Sequence, residues 1–222
     1  MRKTLLTMLL TLGLTATCAA GSSINIDNAK ASGVLNFAAN FYSTLTPGFE
    51  PVKKDENAIV LAGKSNADAN IIKQVRFAVS QRDKYVTLGV ESVNVRKDAS
   101  GKVQIEKLTE PGNEKNLLCT IKSVFNDHYC FGYVLSEEYK DNGFVIDVVE
   151  MGSAAREAGL MPGDILTHVN KKAILASDVG LYNDKALPSC FTGKETEFTV
   201  LHNGEVKTVK ITPIFEPALL LQ

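Results

Sequence analysis

Apolar positions along the chain alternate between two spacings. After a polar stretch at 21–30, Val34, Phe37, Ala38, Phe41 and Tyr42 recur on one face of a helix over Ala31–Leu45, which Thr46-Pro47-Gly48 ends. Ala58–Ala62 is a continuous apolar run of strand length. Ile71, Ile72, Val75, Ala78 and Val79 return to helical spacing and predict a helix from a Ser65 cap to about Arg82. Tyr85–Val95 alternates as a strand, and Asp98–Gly101 reads as a turn. Two further strands are predicted over Val103–Leu108 and Leu117–Phe125, separated by Pro111-Gly112-Asn113. This order describes a small α/β-type domain over residues 31–126 within an α+β chain.

The first twenty residues have a different pattern. Arg2 and Lys3 precede an apolar run of seven Leu and Met residues between Leu5 and Leu14, followed by Cys18, Ala19, Ala20 and Gly21. That order of charge, apolar core and small residues predicts a secretory signal over 1–20 and a periplasmic or secreted mature chain. Cys18 is the lipidation candidate, which would make the protein membrane-anchored, although Thr15 and Thr17 fit a lipidation signal poorly. Removing Arg2 and Lys3 takes the net charge from −1 to −3, which argues against a nucleic-acid partner. Cys119, Cys130 and Cys190 then remain. Cys119 and Cys130 are the disulfide candidates, closing a loop of about a dozen residues; the alternative is three buried free thiols. His128, His168 and His202 are isolated from one another, so no metal site and no cofactor are expected.

Ala58–Ser65 matches a loose phosphate-binding pattern ending in Gly63-Lys64-Ser65. Its central residues Ile59, Val60, Leu61 and Ala62 read as the strand itself rather than as a loop whose amides wrap a phosphate.

The second half has more specific chemistry. In Gly152–Leu166, Ser153 caps a short helix, Gly159 ends it in a left-handed conformation, and Pro162-Gly163 turns the chain into a strand from Ile165. Asn203-Gly204 is a hairpin turn between Phe198–His202 and Glu205–Val209. These segments resemble the bacterial PDZ domain over about residues 128–213, departing at Ala154 (usually Pro) and Lys171 (usually Gly), with a tail at 214–222. The resemblance implies a partly open β-barrel with two helices. It also implies recognition of a partner's C-terminus or extended segment by strand addition, with the carboxylate held in a nest of backbone amides.

Cys130-Phe131-Gly132-Tyr133 fits the family's carboxylate loop. The implied peptide-binding residues are Phe131, Gly132, Tyr133, Val134 and Leu135 on the loop and strand, with Val179, Tyr182 and Ala186 on a groove helix over Ser177–Leu187. Lys185 and Lys122 are candidates to reinforce carboxylate binding. No HExxH motif occurs and no His lies before His128. The expectation is therefore a binding protein and not an enzyme: an exported adaptor for a protein or peptide ligand. A docking component of an envelope or secretion assembly is the first alternative, and an NTPase or protease the second.

Overall fold

A computed structural model describes residues 21–64, 71–97, 100, 102–108 and 111–219. The signal segment 1–20 with Cys18, the Ser65 cap and most of the 98–101 turn lie outside the described residues. The chain divides into two units, Met1–Thr109 and Glu110–Gln222.

The first unit is one antiparallel sheet and one helix. Its strands are β1 (Ser22–Asp27), β2 (Glu50–Lys54), β3 (Ala58–Lys64), β4 (Ile72–Gln81), β5 (Tyr85–Lys97) and β6 (Val103–Leu108), with helix α1 at Ala31–Leu45. The order is β1-β5-β4-β3-β2, and β6 continues the β1 edge of β5. Every pairing is antiparallel, so the expected α/β-type arrangement is replaced by α+β. Ile59, Leu61, Val75, Phe77, Val86 and Leu88 share the sheet face that buries against Val34, Leu35, Ala38 and Ala39 of α1. Tyr42 of α1 meets Phe77 edge-on at 5.8 Å. Burying each large side chain contributes about 1.5–3 kcal/mol.

The predicted helix at 65–82 is corrected: its described part is strand β4, central between β3 and β5. Val75, Phe77 and Val79 alternate toward α1, while Gln74 and Ala78 are buried on the opposite face. The strand period is present in the sequence, with Gln74, Arg76 and Ser80 alternating with Val75, Phe77 and Val79, but Ile71, Ile72, Val75, Ala78 and Val79 also fit a helical spacing. Ala58–Lys64 is a regular strand throughout, so the phosphate-loop reading has no loop to stand on.

The second unit holds α2 (Pro111–Phe125), β7 (His128–Cys130), β8 (Tyr133–Lys140), β9 (Gly143–Val149), α3 (Ala154–Glu157), β10 (Ile165–Val169), β11 (Lys172–Ala173), β12 (Thr196–His202), β13 (Glu205–Ile211) and β14 (Ile214–Glu216). The main sheet runs β13-β12-β10-β9-β8, with β11 on β10; β7 and β14 form a separate ribbon. The strands form sheets that do not close, which corrects the expected partly open barrel. Phe198 anchors the core, meeting Phe131 edge-on at 5.0 Å and Tyr133 at 5.8 Å. As expected, the Ser153 hydroxyl caps α3 by accepting from the Arg156 amide.

Two other expectations change. Leu117–Phe125 is helix, not strand: Leu118, Ile121 and Phe125 are buried at helical spacing, and Pro111 opens the first turn. This helix belongs to the second unit, which moves the boundary expected near 126 to 109/110. Residues 214–216 of the expected tail are a strand paired with β7.

Candidate peptide-binding site

The site begins where β7 turns into β8. Gly132 adopts φ +80° there, and a Cβ at this position would lie 2.2 Å from Ser153 Cβ. No other residue fits that backbone. The loop is fixed from behind: the Ala155 amide donates to Phe131 O at 2.8 Å, and the Glu150 amide to Gly132 O at 2.9 Å. The Phe131 and Gly132 amides are thereby turned forward, toward a common point. Both find the same carboxylate, that of Asp184: Phe131 N donates to Oδ1 at 2.9 Å and Gly132 N to Oδ2 at 2.8 Å.

From this loop runs β8, the end strand of its sheet. The Leu135 amide donates to Asn183 Oδ1 at 3.1 Å, and the Tyr133 hydroxyl to Tyr182 O at 2.6 Å. Three consecutive residues, 182–184, therefore lie against the nest and the start of β8. Between Leu135 and Tyr139 the register with β9 shifts, a bulge of the kind that re-aims an edge strand.

Of the expected site residues, Phe131 and Tyr133 are core side chains that offer the loop through their backbones. Val134 is 44% exposed and Leu135 packs partly on the core. The groove helix over 177–187 is corrected. In its place stand three 3-10 turns, Ala176–Asp178, Asp184–Ala186 and Pro188–Phe191. Gly180 at φ +80° interrupts any helix between the first two. Tyr182 and Ala186 are buried and Val179 packs on the same core, so their helical spacing reflected core contact.

The sequence reading missed Asp184 and Asn183. Their signal was the Asn-Asp pair itself, two turn formers placed three residues after Gly180. Lys185 is committed elsewhere: its Nζ lies 3.0 Å from Glu216 Oε2 and 3.0 Å from His128 Nε2. Lys122 lies over the Phe191 ring, 5.1 Å from its centre.

Burial pushes the Asp184 carboxyl above the usual carboxylate range; the Phe131 and Gly132 amides, Lys185 and Cys190 only partly pull it back. Burial, then Asp184, raise the Tyr133 hydroxyl and the Cys190 thiol. Cys130 donates to Glu216 Oε1 at 2.9 Å, and burial with that bond pushes its thiol up to about 12. Cys119, in α2, and Cys130, in β7, are free buried thiols, so the candidate disulfide is not formed.

The PDZ domain family matches residues 86–212. The chain belongs to the PDZ domain family. Its assignment at the general level is protein or peptide binding. Among curated proteins, the mitochondrial serine protease HTRA2 of Drosophila persimilis is 41% identical over 73 residues, 32% of this chain and 16% of the relative. Among solved structures, the HtrA-type protease AlgW with a decapeptide is 13% identical, with TM-score 0.33, covering 74% of this chain and 62% of that one. A serine endoprotease from Yersinia pestis gives 14% and 0.32, covering 78% of this chain and 65% of that one. The chain thus spans less than two thirds of the length of these relatives. The expectation that the chain is not an enzyme does not stand: the curated proteins that it matches over 73 residues are named as serine proteases.

Proposed function

We propose that the PDZ unit binds a protein partner's C-terminus or extended segment by strand addition along β8, with Phe131, Gly132, Tyr133, Val134 and Leu135 as the receiving backbone. The supporting observation is that the Phe131 and Gly132 amides converge on one carboxylate at the head of an end strand. Two charge-assisted hydrogen bonds to backbone amides recognise a carboxylate without regard to side chain. Specificity then falls to the positions along β8, where half-exposed Val134 favours an apolar neighbour.

The test uses the full chain and a fluorescent set of short peptides ending in Val, Leu, Ile or Phe, each with a free and an amidated terminus. Anisotropy is expected to rise with the free-terminus peptides and to fall away for Leu135→Pro, which removes an edge donor. Equal responses to free and amidated peptides, unaffected by Leu135→Pro, would sink the reading. We also propose export, on the Arg2-Lys3 start and apolar run; intact mass of the protein recovered from cells decides between cleavage after Ala20 and a lipidated Cys18.

A further inference from the structure

The carboxylate in the nest belongs to the chain itself. Asp184 places one oxygen on each of the two nest amides. Asn183 takes the Leu135 amide through its side chain, and Tyr182 takes the Tyr133 hydroxyl through its carbonyl. Asp184 and Asn183 thus take backbone donors of the loop and of β8 that the end of an added strand would use, while the Tyr182 carbonyl, bonded to the buried Tyr133 hydroxyl, ties the turn to the core. Asp184 is 6% exposed, so its carboxylate is removed from water and held by these donors.

Two carboxylates cannot share the same pair of amides. An incoming one would lose the donors and face a like charge at close range. Tyr182, Ala186, Leu187 and Cys190 anchor the short 3-10 turns around Asp184 in the core, so the movement required is that of the Asp184 side chain and not of the segment. Its hold is reinforced at the next residue, where Lys185 is tied to Glu216 of β14.

We propose that Asn183–Asp184 is a built-in competitor for the PDZ site, and that a partner's terminal carboxylate enters the nest by displacing the Asp184 side chain. The proposal rests on the peptide-binding reading above and adds its regulation. The tethered carboxylate acts at high effective concentration. The apparent affinity of the intact chain is therefore lowered by the fraction of molecules in which the nest is free.

The experiment compares wild type with Asp184→Ala and Asp184→Asn in the full chain, using the same free and amidated peptides. Both variants are expected to bind free-terminus peptides more tightly than wild type, by on the order of tenfold or more, with no gain for amidated ones. Equal affinity of wild type and variants for free-terminus peptides overturns the competitor and leaves the binding site standing. No binding by any of the three, with dispersed amide spectra showing that all are folded, overturns the peptide-binding reading and the competitor with it.

A variant-free measurement covers the case in which Asp184 variants fail to fold. On titrating wild type with peptide, the Asp184 carboxyl resonance should move toward that of a solvated side chain as the Phe131 and Gly132 amides shift. Saturation with peptide while the Asp184 carboxyl stays unmoved overturns the proposal.

Discussion

Lys171 stands at φ +65° in a two-residue hairpin turn after Asn170 at φ +49°. The equivalent turns after β8 and β12 use Asp141-Asn142 and Asn203-Gly204, residue types that accept this conformation. A lysine there carries a left-handed penalty of about 1 kcal/mol. Lys171→Gly is expected to raise the urea midpoint by a corresponding amount without changing the slope. The sequence showed this departure from the family's usual Gly; only the backbone angle shows that it costs stability.

Glu216 gives a pH signature. Burial pushes its carboxyl up, but the Cys130 thiol, Lys185 and His128 together bring it below the ordinary value of 4.5. A carboxyl lowered in the folded state contributes stability that is present above 4.5 and lost as pH falls through the lower folded value. Glu216→Gln should therefore flatten the acid limb of an unfolding-versus-pH curve. Asp184, raised in the folded state, has the opposite sign: its contribution is present at low pH and lost as pH rises through its folded value. At the thiols, Cys130 at about 12 and buried Cys119 and Cys190 should react slowly with a thiol reagent at neutral pH, and all three should react on unfolding.

At the scale of elements, α2 packs against the turns that carry the nest-filling segment. A Cβ on Gly112 would lie 1.9 Å from Val179 O. Gly112→Val is expected to destabilise the second unit by about 1–3 kcal/mol, read by chemical denaturation. The errors of sequence reading concentrate in such elements. α3, β8, β9, β10 and the β12–β13 hairpin were legible because their caps and turns carry local signals such as Ser153 and Asn203-Gly204. In α2 the helical period is present at Leu118, Ile121 and Phe125, but Pro111-Gly112-Asn113 has the composition of a turn, which shortens the expected element to strand length; Pro111 is instead a first helical residue. The 177–187 segment failed for another reason. Its apolar residues serve the core and its polar residues serve the nest, and no local period records a contact with residues some fifty positions away.

At the scale of the molecule, the division at 109/110 makes α2 part of the PDZ unit rather than of the domain before it. A fragment comprising residues 110–222 should unfold cooperatively with a dispersed amide spectrum. One beginning at His128, where the sequence pattern alone set the boundary, should lack that cooperativity because Leu118, Ile121 and Phe125 are removed from the core. Loss of cooperativity in both fragments would show that the second unit depends on the first.

The β7–β14 ribbon has a mechanical consequence. Because the two strands are antiparallel, the chain passes into His128 and out of Glu216 at the same end of the ribbon. Tension applied through the flanking segments peels the ribbon instead of shearing it, loading one rung at a time. His128–Glu216 goes first, then Tyr129–Phe215, then Cys130–Ile214. The first rung carries the Glu216 contact that restrains Lys185, and the residue after the last is Phe131. Tension that reaches the open end of the ribbon is thus delivered, rung by rung, to the residue that holds Asp184.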